Sequence, residues 1–323
     1  MTMTERPVST VTATIDGDAV TVPAGSTILQ ACREAGADLP TLCYGPTLTP
    51  ANACRVCMVE VEGSRVLVPS CSRVLEDGMV INTGTERAEH SRRLVMELLG
   101  SASQLDRAND QVEGWMETHG ADPSRFGPTE GESPRVRPHP GHHGPPSVDA
   151  AATVAEPPKV EDDLYVRDYS RCILCYKCVD ACGDQHQNTF AIAVAGRGFD
   201  AHISTEFDVA LPGSACVYCG NCIAVCPTGA LEGKIAWDMK EAGTWDKSRQ
   251  EVTRTVCSYC GVGCNLDVHT QDGRIVDVRS PLDHDVTLGN LCIKGRFGWS
   301  YVQSGVDASS ESGGGFEGGR PPS

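Results

Sequence analysis

Cys172, Cys175, Cys178 and Cys182 form a C-x2-C-x2-C-x3-C run, and Cys216, Cys219, Cys222 and Cys226, followed by Pro227, repeat it. Thiolate is a soft ligand, and four thiolates complete the tetrahedra of iron in a sulfide-bridged cluster. In a doubled run of this kind the fourth Cys of each half ligates the cluster of the other half. Cys172, Cys175, Cys178 and Cys226 are therefore expected to hold one [4Fe-4S] cluster, and Cys216, Cys219, Cys222 and Cys182 a second. Paired zinc knuckles are the competing chemistry; the repeat, the missing His ligands and Pro227 weigh against them.

Two further sets follow the same logic. Cys43, Cys54, Cys57 and Cys71, with gaps of ten, two and thirteen residues, suit a [2Fe-2S] cluster, a structural zinc being the alternative. Cys257, Cys260 and Cys264, then Cys292 after 27 more residues, supply four ligands for a third [4Fe-4S] cluster. Sixteen of the 17 cysteines are used in this way, which leaves Cys32. It falls four residues after Ile28 on one helical face and is expected to be a small core residue. No catalytic residue is expected: there is no dinucleotide-binding glycine fingerprint after a strand, no P-loop and no nucleophilic triad, and Gly261-Val262-Gly263 lies inside a cysteine run.

The elements that position these thiols are short. Alternating Val11, Ala13 and Ile15, an Asp16-Gly17 turn, and Ala19, Val20 and Val22 predict a hairpin. Thr27 and Gln30 form a capping box for a helix carrying Ile28, Leu29, Cys32 and Ala35 and ending at Gly36. Short strands near 58–61 and 66–68 flank Gly63-Ser64, and a helix from Thr85 carries Leu94, Val95, Leu98 and Leu99 and stops at Gly100. A helix after a hairpin suggests a β-grasp arrangement. The 33 residues between the paired runs leave room for an extra hairpin around Phe190 to Phe207.

The fold class expected is α+β, in three small domains: a β-grasp [2Fe-2S] ferredoxin domain over 1–100, a two-cluster bacterial-type ferredoxin domain over 161–237, and a small [4Fe-4S] domain over 251–304. Residues 101–160 end in a Pro-rich linker, and the Gly/Ser/Pro tail 305–323 is expected to be disordered. The odd cysteine count, the tight spacing and the absence of a secretory signal argue against a disulfide framework and for a reducing, cytoplasmic location. A net charge of -16 disfavours nucleic acid or an anionic membrane as partner, and no stretch is long and apolar enough to span a bilayer.

The set from Cys257 to Cys292 continues as Ile293-Lys294-Gly295, and C-x2-C-x3-C, a long gap and C-x-K-G resemble the N-terminal cluster domain of molybdopterin oxidoreductases, notably formate dehydrogenase alpha subunits. The first set is similar to the [2Fe-2S] domain of those subunits, of the complex I G-type subunit and of [FeFe] hydrogenases. The resemblance covers residues 10 to 100 and 161 to 304 and implies that Lys294 lies between a cluster and a pterin ring; a solvated lysine is the alternative. It implies a relay of electrons between a pterin site and a flavin/NAD partner, with a molybdopterin-binding catalytic subunit and a flavin/NAD-binding subunit as partners. A complex I G-like arm and a stand-alone carrier are the alternatives, while the hydrogenase reading fits only the first two modules. The family's pterin-binding domains do not follow here, so they are expected on another polypeptide or lost by truncation.

Relatives commonly hold a further [4Fe-4S] cluster with a His and three Cys after the Leu-rich helix. Residues 101–107 here read Ser-Ala-Ser-Gln-Leu-Asp-Arg, with Arg107 where a Cys would stand. His90 is expected on a helix surface, His139, His142 and His143 fall in the linker, and no fourth [4Fe-4S] cluster is expected.

Overall fold

A computed structural model describes residues 9–126, 157–198, 201–299 and 301–303. Most of the Pro-rich linker and the tail from 305 lie outside the described residues. The chain divides into two compact units, one of Met1–Cys216 with Val225–Glu232 and one of Val217–Ala224 with Gly233–Ser323.

The first unit opens with the expected hairpin, β1 (Thr10–Ile15) and β2 (Asp18–Pro23), joined by Asp16 and Gly17 at φ 51° and 99°. Both turn residues are left-handed, which matches the twist of the flanking strands. Thr27 and Gln30 cap α1 (Ile28–Glu34) reciprocally. Strands β3 (Met58–Val61) and β4 (Val68–Pro69) follow, and then β5 (Val80–Asn82), a strand that no sequence pattern announces. The sheet order is β2-β1-β5-β3-β4, with β5 parallel to β1 and antiparallel to β3. Ile15, Ile28, Leu29, Cys32, Val59 and Ile81 fill its core, so Cys32 is the buried residue expected of it.

Helix α2 (Glu86–Ala102), capped by Thr85, runs through Gly100 rather than stopping there. A Cβ on Gly100 would lie 2.6 Å from Pro123 Cβ, so this glycine serves close packing. The buried ridge is Ala88, Arg92, Met96 and Gly100, spaced by four, while Leu98 is exposed. Arg92 is enclosed because Nη2 donates to Met58 O and Nη1 to Glu89. A further helix, α3 (Asp110–Thr118), capped by Asn109, packs Val112 and Trp115 against Leu42, Val56 and Met96.

The remainder of this unit pairs β6 (Tyr165–Arg167) with β9 (Leu231–Gly233). Helix α4 (Lys177–Cys182) follows the first cysteine run and α5 (Asn221–Val225) the second. The extra hairpin is present as β7 (Ala193–Ala195) and β8 (His202–Ser204). The second unit holds α6 (Lys234–Glu241), a three-stranded antiparallel sheet of β10 (Gln250–Val256), β11 (Asn265–Gln271) and β12 (Arg274–Arg279), and α7 (Ile293–Phe297). Among the described residues no helix is long and apolar enough to cross a membrane.

Candidate metal centres

The loop from Ala51 to Cys57 brings the first set together. Asn52 and Arg55 adopt φ of 56° and 60°, a conformation that non-glycine residues rarely take and that costs about 1 kcal/mol or more each. The wrap turns the Cys54 N–H toward Cys43 Sγ at 3.5 Å. The Cys43 thiol is bonded to those of Cys54 and Cys71, and Cys71 also to Cys57. These side-chain bonds hold Cys43 far below the ordinary thiol range and Cys57 near about 6, while they and burial push Cys54 and Cys71 up. Four thiols in mutual contact, two of them favouring thiolate, make a donor set fitted to a thiolate-bound metal group.

Cys172, Cys175, Cys178 and Cys226 line one cavity with Tyr169, Ile203 and Leu231. The fourth cysteine comes from the second run, as the crossed pattern requires. Burial, with Cys226 alongside, pushes Cys175 up to about 12. Thiol sulfurs facing an apolar enclosure suit a cluster that brings its own cationic iron. The backbone repeats as the sequence does: Leu174 and Tyr176 stand at φ 50° and 65°, and their counterparts Tyr218 and Gly220 at 56° and 71°. Leu174 N donates to Cys172 Sγ at 3.4 Å, and Ala191 N to Cys182 Sγ at 3.2 Å, bonds of the kind that tune cluster potentials. Cys182 and Cys216 belong to the first unit and Cys219 and Cys222 to the second.

Cys257, Cys260 and Cys264 occupy the β10–β11 connection, with Cys257 N bonded to Cys264 O at 2.8 Å. Cys292 is the residue before α7. Burial raises Cys264 first, and then the charges of Cys257, Cys260 and Cys292, which places all four within electrostatic reach. Cys260 and Cys292 are exposed. Lys294 is also exposed, with Nζ 5.9 Å from the centroid of Tyr259, whose hydroxyl donates to Gly298 O.

The stretch without cluster ligands is filled by charge pairs. Arg107 faces Glu232 at 3.6 Å, both largely buried, and Arg171 donates to Asp168 at 2.7 Å and to Asp106. Sequence reasoning missed these partners, which lie more than 60 residues apart except for Asp168 and Arg171. His90 is on the helix surface beside Arg93.

Comparison with known families matches three segments: a 2Fe-2S iron-sulfur cluster binding domain over residues 8–86, a 4Fe-4S dicluster domain over 171–230, and a molybdopterin oxidoreductase Fe4S4 domain over 250–304. The chain is an iron-sulfur electron-transfer protein with the cluster domains of molybdopterin oxidoreductases. It is 32% identical over 298 residues to the second G-type subunit of the NADH-quinone oxidoreductase of Rhizobium meliloti, covering 90% of this chain and 31% of that protein. It is 27% identical over 325 residues to a putative formate dehydrogenase of Staphylococcus haemolyticus, covering 90% of this chain and 31% of that one. The chain thus spans about a third of the length of these curated relatives. A crystal structure of an NAD+-reducing [NiFe]-hydrogenase shares the fold over 70% of this chain and 88% of that one, with a TM-score of 0.54 at 22% identity.

Proposed function

We propose that the chain relays electrons between a pterin site and a flavin/NAD partner, as the iron-sulfur portion of a formate dehydrogenase-like molybdopterin oxidoreductase in a reducing cytoplasm. The observation that carries the reading is the convergence of Cys172, Cys175 and Cys178 with Cys226 on one cavity, because crossed ligation has no use in separate zinc knuckles. Four clusters are proposed: a [2Fe-2S] cluster on Cys43, Cys54, Cys57 and Cys71 in a β-grasp fold, two [4Fe-4S] clusters on the paired runs, and one on Cys257, Cys260, Cys264 and Cys292. When bound, these groups supply one-electron carriers.

The chain supplies placement. Within the first unit Cys54 and Ile173, next to Cys172, border the same apolar cluster around Leu42, Val56 and Met96. His186 Nε2 lies 3.1 Å from Thr47 O, and Thr49 N donates to Gln185 at 2.5 Å, which fastens the loop after Cys43 to the loop after Cys182. These contacts keep the first site beside the paired sites and exclude water between them. At the third site, exposed Cys292 and Lys294 are flanked by exposed Tyr259, Val262 and Ile293, a surface suited to a pterin-bearing partner.

A complex I G-like arm is the second reading, favoured by the 90% coverage of this chain in the Rhizobium comparison. The two differ in whether a pterin-bearing or a quinone-reducing partner binds. Anaerobic reconstitution followed by iron, sulfide and zinc analysis tests the common ground, with about fourteen irons and negligible zinc expected. Saturation near two irons with several zincs would remove the relay reading, and eighteen irons would reveal a further cluster. The isolated chain should accept electrons from dithionite yet oxidise neither formate nor NADH.

A further inference from the structure

Two cysteine-bearing segments of the second unit are fastened together by groups other than sulfur. Asn221, between Gly220 and Cys222, is 3% exposed and accepts through Oδ1 the backbone N–H of Leu291 at 3.1 Å. The residue before Cys222 thus holds the residue before Cys292. Arg296, 4% exposed, stands one turn beyond Cys292, whose carbonyl accepts its N–H at 3.0 Å. Its Nη1 donates to Val278 O of β12 at 3.1 Å, and its Nε reaches Cys219 O at 3.5 Å.

Gly220 reports on this contact. Its φ is 71°, and its counterpart in the first run, Tyr176, carries a full side chain at φ 65°. The left-handed backbone therefore does not by itself require glycine here. A Cβ at position 220 would lie 2.8 Å from Arg296 Cγ and 2.9 Å from Nε, so the space belongs to the guanidinium.

We infer that Arg296 is a positioning residue that locks the Cys219–Cys222 turn to the Cys292 helix and fixes a permanent positive charge beside the clusters these cysteines hold. The inference rests on reading those cysteines as cluster ligands. Arg stays protonated across the accessible pH range, and its planar fork can serve two carbonyls from one buried place, which an ammonium cannot reproduce. A cluster becomes more negative on reduction, so a fixed cation nearby in a poorly screened interior favours the reduced form and raises the midpoint potential.

The test compares the reconstituted full chain with its Arg296→Lys, Arg296→Met and Gly220→Ala variants, by iron content, redox titration followed by electron paramagnetic resonance, and hydrogen exchange at Leu291. Arg296→Met should lower the midpoint potential of a [4Fe-4S] signal and speed Leu291 exchange roughly tenfold through local opening. Arg296→Lys should speed exchange yet keep the potential near that of the parent chain, and Gly220→Ala should do the same because the charge remains. Unchanged potential and exchange in Arg296→Met at full iron content would overturn the inference. If the methionine variant loses a cluster, a lysine variant with full iron and parent-like exchange would overturn it equally. A parent chain without a cluster signal from the Cys292 set would instead overturn the functional reading.

Discussion

The cysteine set of the amino-terminal sheet and that of the carboxyl-terminal sheet use the same thiols in opposite surroundings. Cys43, Cys57 and Cys71 are 2%, 2% and 1% exposed and border a core in which Ile15, Ile28, Leu29 and Ile81 are enclosed by sheet and helix. Cys260 and Cys292 are exposed, and the sheet that carries them buries little beyond Val276, Val278 and Leu291, its strand β10 being exposed almost throughout. The first site is an interior feature of a region that has its own apolar reason to fold. The third is a surface feature whose loops have few contacts besides their ligands.

Removing iron should separate the two most strongly. Metal binding contributes on the order of 10 kcal/mol to the folding of small metal domains. The β10–β12 sheet should therefore become protease-sensitive on chelation, while the segment from β1 to α2 keeps its protection. Limited proteolysis with mass mapping reads this directly, and equal rates of cleavage in both regions would break the comparison.

Single ligands sharpen it. Cys292→Ser should cost about four irons per chain and Cys43→Ser about two, from the cluster types assigned to them. The Cys43→Ser chain should retain its sheet by circular dichroism because the core of β1, β5 and α1 does not include that sulfur's metal bonds. A loss of two irons on Cys292→Ser would reassign the third site.

The same contrast explains what could be read in advance. Cysteine spacing is local information, so the four sets, the Asp16-Gly17 turn and the Thr27–Gln30 capping box were legible from residues a few positions apart. Strand β5 was not, because its three residues acquire strand identity only by lying between β1 and β3, and Val80 sits close to Gly78. Gly100 reads as a helix stop until Pro123 is seen against it. The bonds from Arg296 to Val278 and from Asn221 to Leu291 join residues 18 and 70 positions apart, which no spacing rule reaches.

A smaller effect concerns Cys32, whose thiol burial pushes up to about 12. The folded chain keeps that proton, whereas the unfolded chain loses it near the ordinary thiol value of about 8.5. Stability from this group is fully present below that pH and is lost as pH rises from there toward 12, with a limiting slope of about 1.4 kcal/mol per unit. Denaturant midpoints of the β1–α2 region measured from pH 8 to 10 should fall less steeply in Cys32→Ala than in the parent. Equal slopes would show that Cys32 does not govern alkaline sensitivity there.

The smallest stability effect is expected at Lys294. Its ammonium is exposed and lies over Tyr259, an arrangement that contributes about 0.5–1 kcal/mol at such sites. Neither its charge nor its stem holds a cysteine loop in place, so Lys294→Ala should keep full iron content and melt within a few degrees of the parent. If the open third site is where a pterin-bearing subunit docks, the same substitution should slow reduction of the chain by that subunit while leaving reduction by dithionite unchanged. The two measurements divide the outcomes. Slower transfer with intact clusters assigns Lys294 to the partner face, whereas loss of iron on Lys294→Ala would make it part of the cluster's own support and erase the contrast between an enclosed first site and an open third one.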